Sequence, residues 1–224
     1  MTSEFVRLPV GWIADKRLKE FKWANGGPGS DQVAALMSLV VVAHCADQET
    51  GRVRLTYDEL TRRTTLSRAK VSRGLTVLED RNLITRRTDG RRSDVGLANF
   101  NRELGWAKLP VKSMYAGGRI RAFEEFRLRR LVELDAMKLF FLFAQRRDRG
   151  SNLANISYDG IEDYTGIARP RIKSATSLLA ALSMVYVERT LSTQSEFAVA
   201  NAYRLVGLES RVHMGTRGRA MIQA

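Results

Sequence analysis

The chain has 224 residues, 44% of them hydrophobic, which suffices for a buried core in one or two domains. Lys and Arg number 37 against 24 Asp and Glu, a net charge of +13 that repels itself unless a polyanion neutralises it, so nucleic acid is the first partner to expect. A lone cysteine, Cys45, excludes an internal disulfide, and the longest apolar stretch, Val33 to Ala43, falls well short of the ~20 residues that cross a bilayer. With no basic segment leading into an apolar run near Met1, the expectation is a cytoplasmic protein, close to the nucleoid, with no membrane partner.

The predicted elements come in two copies at one constant offset. Leu55-Thr-Tyr-Asp-Glu-Leu60 returns as Ile156-Ser-Tyr-Asp-Gly-Ile161, a shift of 101, and Arg7-Leu-Pro-Val10 returns as Lys108-Leu-Pro-Val111 at the same shift. Each copy starts with the Leu-Pro-Val lead-in and a variable arm. A helix apolar on all sides follows, through Val33, Leu36, Met37, Val40 and Val41 or through Met137 and Leu139 to Phe143, and such a helix belongs at the centre of a core. A short β segment follows, then a helix capped by Thr56 or Ser157, with Glu59 completing a capping box in the first copy. The turns Thr64-Thr65-Leu66 and Thr165-Gly166-Ile167 lead into a longer helix, started by Ser67 in the first copy and near Ala168 in the second. In the first copy Leu83 to Thr88, the turn Asp89-Gly90 and Val95 to Leu97 read as a hairpin; in the second, Val185 to Leu191 and Ala200 to Val206 flank a longer tip, Ser192 to Phe197.

This order of elements, with Leu55 to Leu60, Leu66 to Leu75 and Leu78 to Ile84 as they stand, resembles the winged helix-turn-helix superfamily of bacterial regulators, over most of residues 31–97 and 132–206. Two such units in one basic chain also resemble plasmid and mobile-element replication initiators. The fold class implied is mainly α with small β-hairpins (α+β), as tandem domains over residues 1–100 and 101–208 with a basic tail, 209–224. The resemblance implies that each longer helix enters the major groove by its N-terminal end. That assigns Ser67, Arg68, Lys70, Ser72 and Arg73, and in the second copy Arg169, Arg171, Lys173, Ser174 and Ser177, to double-stranded DNA. Arg86, Arg87, Arg91 and Arg92 surround the first hairpin turn and suit the phosphate backbone, whereas Thr190 to Ala198 in the second hairpin holds only neutral or acidic residues.

Other chemistry is not indicated. His44 and His213 have no ligand-spaced partners, and Gly26-Gly-Pro-Gly-Ser30 lacks the Gly-Lys-Ser/Thr ending of a phosphate loop. Arg119 to Arg130, with Phe123 and Phe126 among the arginines, reads as an amphipathic helix, and Arg217-Gly-Arg219 as part of a charged tail. The expectation is a DNA-binding protein rather than an enzyme, without cofactor, possible as a homodimer. Transcriptional regulation comes first, with replication initiation or an architectural, partition-type role through protein contacts as alternatives.

Overall fold

The computed structural model of the chain describes residues 4–24, 29–89, 92–101, 103, 105–192 and 195–208. The first half holds β1 (Phe5–Pro9), α1 (Gly11–Ala14), α2 (Gly29–Cys45), β2 (Arg52–Thr56), α3 (Tyr57–Thr64), α4 (Arg68–Asp80) and the hairpin of β3 (Ile84–Asp89) and β4 (Arg92–Leu97). The second holds β5 (Trp106–Pro110), a small hairpin of β6 (Tyr115–Ala116) and β7 (Arg119–Ile120), α5 (Leu131–Arg146), β8 (Ala154–Asn155), α6 (Tyr158–Thr165), α7 (Arg169–Ala181), β9 (Val185–Ser192) and β10 (Ser195–Leu205). The result is a mixed α and β fold with small antiparallel sheets, among them β2-β4-β3 and β8-β10-β9.

The two all-apolar helices are the core. In α2 every residue from Asp31 to His44 is buried, and in α5 every residue from Glu133 to Ala144. Each is covered on several sides: α4 packs on α2, α7 packs on α5, and α2 and α5 pack on each other. Aromatic contacts close the gaps, with Trp12 edge-on to Phe141 at 5.7 Å and Phe143 stacked on Tyr203 at 4.1 Å.

The offset of 101 persists in local structure. Shifted by it, α6 has the same bounds as α3, and α7 the same bounds as α4. Thr56 and Ser157 cap the shorter helices by accepting from the amides of Glu59 and Gly160, and the capping box at Glu59 forms. Thr65 and Gly166 end them in the left-handed region, with φ of 62° and 69°. Asn82 and Ser183, φ of 51° and 53°, both turn the chain into a hairpin strand.

The halves meet through equivalent parts. β1 and β5 pair antiparallel, Phe5 with Pro110, Arg7 with Lys108 and Pro9 with Trp106. The arms after these strands cross over. Lys16 binds Asp163 at 2.8 Å and lies over the Tyr164 ring, both at the end of α6. In return Arg63, at the end of α3, lies over Tyr115 of the second arm, and Thr65 donates to the Phe123 carbonyl at 3.1 Å.

Two expectations fail here. Residues 119–130 form no α-helix: after the β6–β7 hairpin the chain makes a short 3-10 helix (Arg121–Glu125) and then an irregular run with Leu128 left-handed at φ 57°. The glycine pair Gly117-Gly118, both at positive φ, forces the hairpin that the arginine and aromatic spacing concealed. In the second hairpin the expected tip is largely strand, since β9 and β10 extend to Ser192 and Ser195 with an irregularity between Ser195 and Val199.

Candidate nucleic-acid interface

The cations expected at the start of the longer helices fall into two kinds. Arg68 and Arg169, equivalent at the offset, are exposed and identically set. Arg68 faces Asp58 at 3.8 Å and lies 5.1 Å above the Tyr57 ring; Arg169 pairs with Asp159 and lies 5.9 Å above the Tyr158 ring. These pairs are solvated, with Arg68 and Asp58 side chains 68% and 91% exposed and those of Arg169 and Asp159 62% and 76%. An exposed pair of this kind contributes about 0–1 kcal/mol, so either guanidinium can leave it at little loss.

Lys70 and Arg171 are different. Lys70 binds Asp31 of α2 at 2.6 Å, and Arg171 binds Asp135 of α5 at 3.4 Å; both carboxylates are nearly enclosed, at 10% and 3% exposed. Uncoupling either pair leaves a nearly enclosed carboxylate with a weaker partner, Asp31 with Arg73 at 3.9 Å and Asp135 with the pull of Lys138, so the loss stays below the ~3–5 kcal/mol of a fully buried pair. These two cations therefore clamp α4 and α7 to the core helices. Burial pushes the Asp135 carboxyl up, against the pull of Arg171 and Lys138, and pushes the Lys138 amine down to about 8. Lys138 donates to the Thr165 carbonyl at 2.8 Å, tying the α6–α7 turn to the same helix.

The rest of the outward faces are assembled as the offset requires. Ser67 caps α4 through the Lys70 amide, Arg73 is exposed within 3.9 Å of Asp31, and Ser72 is partly exposed. On α7, Lys173, Ser174 and Ser177 are all exposed. Thr76, the equivalent of Ser177, is exposed on α4 beside Arg73 and belongs to the same face; the offset alone points to it. No serine or threonine caps α7, where Ala168 stands and Pro170 occupies the first turn.

In the first hairpin Arg86 is drawn inward, to Glu79 at 2.8 Å and within 3.5 Å of the Tyr57 hydroxyl, so it braces the hairpin on α4. Arg87 is exposed on β3. Arg92 begins β4, but its side chain, like Gly90 and Arg91, lies outside the described residues, as do residues 25–28 and the tail 209–224 with His213. The second hairpin carries Tyr186 and Val187 exposed where the first has Thr85 and Arg86, and its Glu188 is held by Arg204 at 2.6 Å. Among the described residues no group of His, Cys, Asp and Glu could hold a metal ion, and no helix is long and apolar enough to cross a membrane. In the comparisons with known proteins, no family model and no curated protein matches the sequence.

Proposed function

We propose that the chain binds double-stranded DNA sequence-specifically through two tandem winged helix-turn-helix units, with α4 and α7 as recognition helices, and acts as a transcriptional regulator. The observation that carries this reading is the repeated setting of Arg68 and Arg169: an exposed guanidinium over a tyrosine ring at the first turn of each helix, lightly held by a solvated aspartate. A guanidinium so placed meets the O6 and N7 of guanine bidentately once a helix lies in the major groove. Around it are the short polar or basic side chains such a face needs: Ser67, Ser72, Arg73 and Thr76 on α4, and Lys173, Ser174 and Ser177 on α7. Arg87 suits a phosphate contact from the first hairpin, and the charge of +13 supplies long-range attraction. Neither cofactor nor metal is needed. Replication initiation is the second reading, favoured by the pairing of β1 with β5 inside one chain, which lets single chains fill adjacent repeats without dimerising.

Titration of the whole chain against double-stranded DNA at 50 and 200 mM salt tests the reading. With on the order of 6–10 phosphate contacts, affinity falls about 10³–10⁵-fold across that range. Absence of binding at the lower salt, or an affinity indifferent to salt, overturns it.

A further inference from the structure

The contact between the halves is self-complementary. Moving β5 back by 101 residues turns the observed register into position 5 with 9, 6 with 8, and 7 with itself, centred on the Arg7–Lys108 pair. A head-to-tail repeat joins unlike patches; only a two-fold relation joins a patch to its own copy. The crossed arms obey the same rule. Lys16 meets Asp163 and Tyr164, which occupy positions 62 and 63 of the second copy, while Tyr115 lies against Arg63 and Gly118 stands beside Arg62. Both helix-turn-helix corners are touched by the opposite arm, Thr65 by the Phe123 carbonyl and Gly166 by Lys19. The central helices in contact, α2 and α5, are themselves equivalents.

We infer that one chain reads an inverted pair of unlike half-sites, an imperfect palindrome bound in a single orientation. The inference rests on the DNA-binding reading above. A two-fold axis relating the halves relates α4 to α7, and two recognition helices so related meet the duplex with opposite polarity, as in a symmetric dimer. The half-sites differ because the outward faces differ. At equivalent positions the faces share Arg68 and Arg169, but Ser72 faces Lys173, Arg73 faces Ser174 and Thr76 faces Ser177. A symmetric dimer cannot distinguish the two directions along its operator; this chain does.

The test is selection from a random double-stranded pool, using the whole chain and a variant carrying Lys173→Ser, Ser174→Arg and Ser177→Thr. These three positions are exposed, so the changes leave the core alone and give α7 the outward residues of α4. The native chain is expected to select two unlike blocks, with affinity falling about tenfold or more when one block is reversed in place. The variant is expected to select an inverted repeat of a single block. A direct repeat selected by the variant, or a single block selected by both proteins, overturns the inference while leaving DNA binding standing. If the native chain enriches no duplex at low salt, the DNA-binding reading falls, and the inference with it.

Discussion

The two halves share a backbone plan and divide the chemistry unequally. Arg86 and Arg87 on β3 are matched by Val187 and Glu188 on β9, so the first hairpin is cationic where the second is apolar and acidic. Thr65 holds a left-handed corner that Gly166 takes without strain, and its hydroxyl is fixed by the second arm. Gly74 lets α4 approach the α2 backbone closely where α7 has Ala175, and His44 stands in the last turn of α2 where α5 has Gln145. Repetition preserved what the fold requires; the differences fall on exposed faces and at single packing points.

The largest effect is expected at Gly74. A Cβ there lies 2.9 Å from backbone atoms of Ala34 and Ala35 in α2, and neither backbone can give way like a side chain. Gly74→Ala should therefore destabilise the fold by about 3 kcal/mol, the upper end of overpacking. Ala175→Gly, in the second half, should lose only about 1–2 kcal/mol from one buried methyl and a freer unfolded chain. Denaturant midpoints of the two variants measure this; equal losses would mean that the two helix pairs pack alike.

Next come the equivalent arginines. Arg68→Ala and Arg169→Ala should each weaken the selected site by about 1–3 kcal/mol and random DNA much less, lowering the specificity ratio. Footprints should lose protection over different half-sites. Lys70→Ala should act instead through stability, because it leaves the nearly enclosed Asp31 with only the longer 3.9 Å contact to the exposed Arg73. Equal losses on specific and random DNA would make Arg68 and Arg169 phosphate contacts.

A third difference is one of pH. His44 is buried, with Nδ1 3.1 Å from the Tyr115 hydroxyl of the opposite arm, and burial lowers its pKa from 6.5 to about 3. Below pH 6.5 the unfolded chain takes up a proton that the folded chain refuses, so stability is lost as pH falls from 6.5 toward 3. At about 1.4 kcal/mol per pH unit, the loss between pH 6.5 and 5 is roughly 2 kcal/mol. His44→Gln, which copies Gln145 of the second half, should flatten that slope in denaturation curves at pH 7 and 5. An unchanged slope would place the acid sensitivity elsewhere.

Much of this was legible in the sequence because repetition supplied its own control. Thr56 and Ser157 as caps, the corners at Thr65 and Gly166, and the all-apolar helices were readable since each signal is local or periodic and occurs twice. Arg68 and Arg169 were legible for the same reason. What was not legible depends on tertiary partners. Lys70, Arg171 and Arg86 look like their exposed neighbours until Asp31, Asp135 and Glu79 are brought to them across the fold. The crossed arms were equally hidden, because β1 pairs with a strand about a hundred residues away and the helical spacing of residues 119–130 follows directly on the glycine pair Gly117-Gly118.

The smallest effect is expected at the hairpins, and there the comparison of the halves is sharpest. Arg87 and Glu188 occupy equivalent positions on β3 and β9, but Arg87 is exposed while Glu188 is tied to Arg204 at 2.6 Å. If the first hairpin lies on the phosphate backbone, Arg87→Ala removes one counterion-releasing contact. Specific and random DNA should then weaken alike, and the slope of log affinity against log salt should fall by about one. Glu188→Ala removes a negative charge from a hairpin that presents few cations, so the slope should stay within a few tenths of the native value. A titration series over salt for both variants reads this directly. A slope lowered by Arg87→Ala and unmoved by Glu188→Ala places the phosphate grip in the first half alone. An unmoved slope in Arg87→Ala takes that hairpin off the duplex and leaves binding to the faces of α4 and α7.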